Sequence, residues 1–96
     1  AEIEELLMQH QHIEDAQVVG IKDTELGERI CAFIIGNDET SLNDIRSHLV
    51  DLGTATYKLP DQVVHTKNWP LTSVGKIDKE QLKIIGEQSN PKRGEV

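Results

Sequence analysis

The sequence predicts an α+β fold, a small three-stranded sheet covered by helices in the order α-β-β-α-β-α. Three observations carry that expectation. Residues 16–22 and 30–36 are rich in Val and Ile and flank a polar segment containing Gly27, which is the pattern of a hairpin. Elsewhere apolar residues recur at helical spacing behind Ser and Asp caps. The chain has 96 residues, enough for one modest core, since a chain of this size buries about two thirds of its unfolded surface.

Each element has its own signals. Residues 1–11 predict a first helix, with Ile3, Leu6, Leu7 and His10 on one face and Glu2, Glu4 and Glu5 near its positive amino end. It starts without a capping residue or lead-in, so further chain is expected before Ala1. The hairpin strands follow. Thr40 and Ser41 then offer caps for a second helix with Leu42, Ile45, Leu49 and Leu52 on one side, and Gly53 offers a left-handed stop. Asp44, three positions after Ser41, completes a capping-box pattern with the shorter acid. Leu59-Pro60 blocks further helix, and residues 62–67 predict the third strand. Asp78 with Gln81 caps a last helix whose inward residues are Leu82 and Ile85 and whose expected stop is Gly86. The domain is therefore set at residues 1–86, and the aperiodic residues 87–96 are expected to form a mobile tail.

Composition excludes several functions. The formal charge of -7 opposes a nucleic-acid module, which needs clustered Lys and Arg, and one Tyr, one Trp and one Phe offer no base-stacking platform. No apolar run approaches the roughly 18 residues of a membrane helix, and no export signal is present, so a cytoplasmic location is expected. The lone Cys31 sits in an apolar run and reads as a packing residue rather than a reactive thiol. His10 and His12 are two apart, while His48 and His65 lie on other elements, so no metal site is expected.

The chemistry concentrates in residues 69–79, Trp-Pro-Leu-Thr-Ser-Val-Gly-Lys-Ile-Asp-Lys. Pro70 stiffens the start of a loop, Thr72 and Ser73 favour turns, and Gly75 permits a positive-φ turn immediately before Lys76. A lysine held between rigid elements suits stabilisation of negative charge that develops in a transition state. The segment is no P-loop, because Pro70 stands where a glycine is needed and Ile77 where Ser or Thr is needed. Judged by composition alone, Lys76 would be a solvated surface residue.

The same run resembles the Pro-x-Thr-x-x-Gly-Lys signature of the adenylate-forming superfamily, which includes acyl-CoA synthetases, peptide-synthetase adenylation domains and luciferases. Pro70, Thr72, Gly75 and Lys76 match it. Residues 1–7, 18–23 with 27–29, and 57–61 resemble the helix after the family's hinge, its next hairpin and the lead into its last strand. Residues 57–63 and 69–79 are most similar to the aryl-acid ligases of siderophore assembly, which use 2,3-dihydroxybenzoate or salicylate.

The resemblance implies a carboxy-terminal catalytic lid, inactive alone, of an ATP-dependent acid-AMP ligase. It implies that Lys76 acts as a cation, not a nucleophile, on the α-phosphate and attacking carboxylate during adenylation, and that the lid then swings so that a thiol can attack. ATP with magnesium would be bound mainly by a larger amino-terminal domain of the same chain, and the acceptor would be a carrier protein or CoA. Gly20 and Gly27 become candidate walls of a thiol tunnel. Arg29 and Lys58 become candidate contacts for a pantetheine phosphate or an acidic carrier, or else solvated charges. Trp69 reads as a packing residue supporting the loop. The alternatives are an acyl-CoA synthetase lid and a stand-alone carrier-binding module without catalysis.

Overall fold

The computed structural model describes residues 2–89. The elements are α1 (Glu2–Leu7), β1 (Ile13–Asp23), β2 (Gly27–Gly36), α2 (Leu42–Asp51), a single 3-10 turn (Thr56–Lys58), β3 (Gln62–His65) and α3 (Lys79–Gln88). The sheet has the order β1-β2-β3, with β1 antiparallel and β3 parallel to the central β2. The α+β class and the α-β-β-α-β-α order match the expectation.

Helices cover both faces of this sheet, which is why β2 reads as a continuous apolar run rather than an alternating one. On one face Ala16, Ala32 and Ile34 pack with Leu7 of α1 and with Ile45 and Leu49 of α2. On the other, Val19, Ile21, Cys31 and Phe33 pack with Leu82 of α3, and Trp69 and Ile77 lean on this second cluster. Ile13 joins Ala16 on the first face although the two are an odd number of positions apart. A register shift between Ile13 and Asp15 supplies the extra residue that makes this geometrically consistent.

Ser41 caps α2 with both halves of the capping box present, its hydroxyl accepting from the Asp44 N–H at 3.0 Å while Asp44 accepts the Ser41 N–H. Gly53 follows with φ +89°, the expected left-handed stop. Several boundaries differ from expectation: β1 and β2 start three residues earlier than the expected 16–22 and 30–36, at Ile13 and Gly27, and β1 runs on to Asp23. α1 ends at Leu7 rather than residue 11, because the N–H groups of Gln9 and His10 turn back to Leu6 and Leu7 and redirect the chain into β1. β3 ends at His65, two residues early. Gly86 does not stop α3, which continues to Gln88 and is closed by Ser89. A Cβ on Gly86 would lie 3.1 Å from Ile21 Cδ1 and 3.4 Å from Cys31 Sγ, so this glycine allows close approach of helix to sheet. Glu87 and Gln88, expected in the tail, are therefore helical, and residues 90–96 of that tail lie outside the described residues.

No described helix is long and apolar enough to cross a membrane.

Candidate functional site

The loop that carries Lys76 is a closed miniature hairpin. Leu71 and Ile77 form an antiparallel bridge, the Thr72 N–H donates to Lys76 O at 2.7 Å, and the Asp78 N–H donates to Pro70 O at 2.8 Å. The turn itself is tied by the Gly75 N–H to Thr72 O at 3.0 Å, with Gly75 at φ +84°, where a side chain would be strained although the space around it is open. Thr72 contributes twice, because its hydroxyl also accepts the Lys76 N–H at 3.2 Å. These bonds fix the backbone of Lys76 while its side chain is exposed and makes no hydrogen bond or ion pair with any described residue. Leu71 and Val74, 61% and 76% exposed, flank it.

Both ends of the hairpin are tied to the domain. At its start the Trp69 ring packs on the second core cluster and its Nε1–H donates to Asp15 Oδ2 at 2.9 Å. At its end Asp78 caps α3 by accepting the Gln81 N–H at 3.1 Å. The reciprocal half of that capping box is replaced, since the Asp78 N–H is spent on Pro70. The packing role expected for Trp69 is present, and Asp15 is a support that no local pattern in the sequence indicated.

Of the four residues expected to form a second site, the structure brings together only two. Gly20, in the middle of β1, and Lys58 line an open groove of about 460 Å³ with Ile3, Val18, Glu28 and Tyr57. Lys58 Nζ stands 5.9 Å from the Tyr57 ring centre and 3.8 Å from Glu2 Oε1, and Tyr57 itself is 78% exposed. Gly27 lies away from this groove in the hairpin turn, opposite Asp23, with φ +80°.

Arg29 corrects the expectation outright, because it is neither solvated nor available to a carrier. It is buried, and its guanidinium donates from Nε to Gln62 Oε1 at 2.7 Å, from Nη1 to Asp23 Oδ2 at 3.1 Å and from Nη2 to Gly86 O at 3.0 Å. It ties the hairpin to β3 and α3. Cys31 lies near enough to feel this charge, but burial dominates and pushes its thiol up to about 12.

The histidines also sit differently from expectation. His10, displaced from α1 by the early end of that helix, has its ring centre 5.5 Å from that of His12 and 5.0 Å from that of His48. His48 Nε2 is 2.8 Å from Leu6 O, so that nitrogen donates and satisfies a helix-end carbonyl. Burial, and then the neighbouring His48 and His12, hold His10 below the usual imidazole value. Among the described residues no group of three or more His, Cys, Asp or Glu is arranged to hold a metal ion.

Comparisons with known proteins bear on this geometry. Residues 2–76 match the family described as AMP-binding enzyme C-terminal domain. The chain is 45% identical over 85 residues to pseudomonine synthase PmsE of Pseudomonas entomophila, covering 88% of this chain and 14% of that protein. It is 44% identical over 84 residues to the vibriobactin-specific 2,3-dihydroxybenzoate-AMP ligase of Vibrio cholerae, covering 85% and 16%. Among solved structures, Mycobacterium smegmatis MbtA without ligand superposes with a TM-score of 0.78 at 37% identity, covering 86% of this chain and 16% of that one. The chain thus spans about a sixth or less of the length of these relatives.

Proposed function

This chain belongs to the family of AMP-binding enzyme C-terminal domains, and from that membership we propose that it is the catalytic lid of an aryl-acid-AMP ligase acting in siderophore assembly. The observation that carries the reading is the Lys76 hairpin, a backbone fixed by four hydrogen bonds that presents an exposed ammonium with no described partner in the domain. A relative 44% identical is named a 2,3-dihydroxybenzoate-AMP ligase, which supports an aromatic acid as the substrate class.

In the proposed first step a carboxylate oxygen attacks the α-phosphorus of ATP, an acyl adenylate forms, and pyrophosphate leaves. Negative charge gathers between the entering oxygen and the α-phosphoryl oxygens, and Lys76 would sit against it. Two unit charges about 4 Å apart interact by roughly 4 kcal/mol at an effective dielectric near 20, and loss of one preplaced donor typically costs about 100- to 1,000-fold in rate. Gly75 and Thr72 fix the backbone from which the ammonium projects, so only the side chain of Lys76 has to find its place against the developing charge.

ATP and its magnesium would be held mainly by a larger amino-terminal domain of the complete ligase. In the second step a pantetheine thiol of a carrier protein or CoA attacks the acyl carbon and AMP leaves. The groove lined by Gly20 and Lys58 is the proposed approach for that arm, with Lys58 beside its phosphate or an acidic carrier. Arg29 and Gly27 have no part in it.

Lys76→Ala in the complete ligase tests the reading. Pyrophosphate exchange should fall by about 100-fold or more, while thiol transfer from a supplied acyl adenylate is retained. Equal loss of both half-reactions would remove the lid role from Lys76.

A further inference from the structure

The hairpin that presents Lys76 passes directly into the first residue of α3, and that residue reaches across the domain. Lys79 Nζ donates to Glu4 Oε2 at 3.2 Å, and the same carboxylate oxygen accepts the Val18 N–H at 2.8 Å. One carboxylate therefore joins α1, β1 and the start of α3. The Glu4 side chain is 13% exposed and that of Lys79 49% exposed, so the acid is the fixed member of the pair.

Ordinary surface ion pairs contribute little, but two features set this one apart. Lys79 is the first residue of α3, where the positive end of the helix opposes a cation, and Glu4 offsets that placement. Glu4 in turn is ordered by a backbone N–H of the sheet, which gives the pair a rigid reference. Burial works against the charged Glu4 carboxylate, but the Val18 amide and Lys79 outweigh it and hold the group below its usual value.

The path from this pair to the backbone that carries the Lys76 ammonium is short and stiff. Between Lys79 and Lys76 stand only Ile77, half-buried against the second core cluster, and Asp78, whose N–H is bonded to Pro70 O at 2.8 Å. A shift of the α3 start is therefore passed to the hairpin rather than absorbed by slack chain.

We infer that Glu4 and Lys79 are a positioning pair that sets where the Lys76 ammonium is held, an inference that rests on the lid function proposed above. Neither residue touches substrate, so each acts only through the hairpin.

The test uses the complete ligase with Glu4→Gln, Lys79→Ala, Lys79→Arg and the double variant Glu4→Gln/Lys79→Ala. Gln keeps the size of Glu4 and an acceptor for the Val18 N–H, which protects the fold. Glu4→Gln and Lys79→Ala should each lower the kcat of adenylation about 5- to 20-fold, because a displacement near 1 Å can cost up to about 100-fold. The KM for ATP and thiol transfer should stay within about twofold, the double variant should fall no further than the singles, and Lys79→Arg should restore the rate to within about threefold. Amide exchange at Thr72 and Asp78 should quicken in Lys79→Ala. Wild-type adenylation by Lys79→Ala, or losses that multiply in the double variant, would overturn the pairing. If Lys76→Ala run in parallel keeps full adenylation, the lid reading fails separately, and the pair is then judged by amide exchange alone, with unchanged exchange overturning it.

Discussion

Arg29 and Lys76 are both cations placed beside a glycine-containing turn, and the fold treats them in opposite ways. Arg29 is drawn inside, where acceptors from three other elements, β1, β3 and α3, surround its guanidinium. Lys76 is held outside on a hairpin whose hydrogen bonds are spent on its backbone and not on its ammonium. What separates them is where acceptors stand. A buried charge costs several kcal/mol unless it is paired and hydrogen-bonded, so Arg29 is tolerable only because Asp23, Gln62 and Gly86 converge on it. No described residue neutralises the charge of Lys76, the condition for acting on a charge that another group brings.

The contrast breaks most readily at Arg29. Arg29→Met leaves the Asp23 carboxylate buried without its guanidinium and should cost about 3–5 kcal/mol of stability, whereas Lys76→Ala should stay within about 0.5 kcal/mol. Denaturant unfolding of the two variants measures both, and comparable losses would mean that Lys76 carries structure after all.

A smaller effect sharpens the environment of Arg29. The Cys31 thiol, ordinarily near 9.0, is raised to about 12 by burial against the lowering influence of Arg29. A raised value in the folded state means that the neutral thiol is favoured there. The stability it contributes is present in full below pH 9.0 and is lost as pH rises from there toward about 12. Unfolding measured across that range should show a steeper alkaline decline for the wild type than for Cys31→Ala, which removes this one titration while leaving the lysines and Tyr57 unchanged. Identical slopes would place Cys31 in a wetter site than the structure gives it.

The legibility of the molecule in its sequence divides along the same line. The loop that carries Lys76 could be read because its parts are local: Pro70, Thr72, Gly75 and the Asp78 cap lie within nine consecutive residues, and each acts through its own backbone preference, although its closure into a hairpin by the Leu71–Ile77 bridge was not indicated. The α-β-β-α-β-α order was legible for the same reason, since caps and periodicity are short-range signals. Arg29 was not, because its acceptors Gln62 and Gly86 lie 33 and 57 positions away. Gly86 followed the same rule. A local reading makes a glycine after an apolar helix a stop, but the nearness of Ile21 and Cys31 makes it a contact point inside the helix. The Glu4–Lys79 pair, 75 positions apart, and the histidine cluster formed where α1 ends early are likewise products of tertiary structure.

The central claim is that Lys76 contributes an ammonium and not merely a side chain. In the complete ligase, Lys76→Cys should lose adenylation, and alkylation with bromoethylamine should then build an ammonium of nearly the original length, with sulfur in place of one methylene. Cys31 is buried with its thiol pushed up to about 12, so it should be spared, and Lys76→Ala treated in parallel controls for other cysteines. The account predicts recovery of adenylation by at least about tenfold over the untreated variant. No recovery after mass spectrometry has verified modification at position 76 would contradict it.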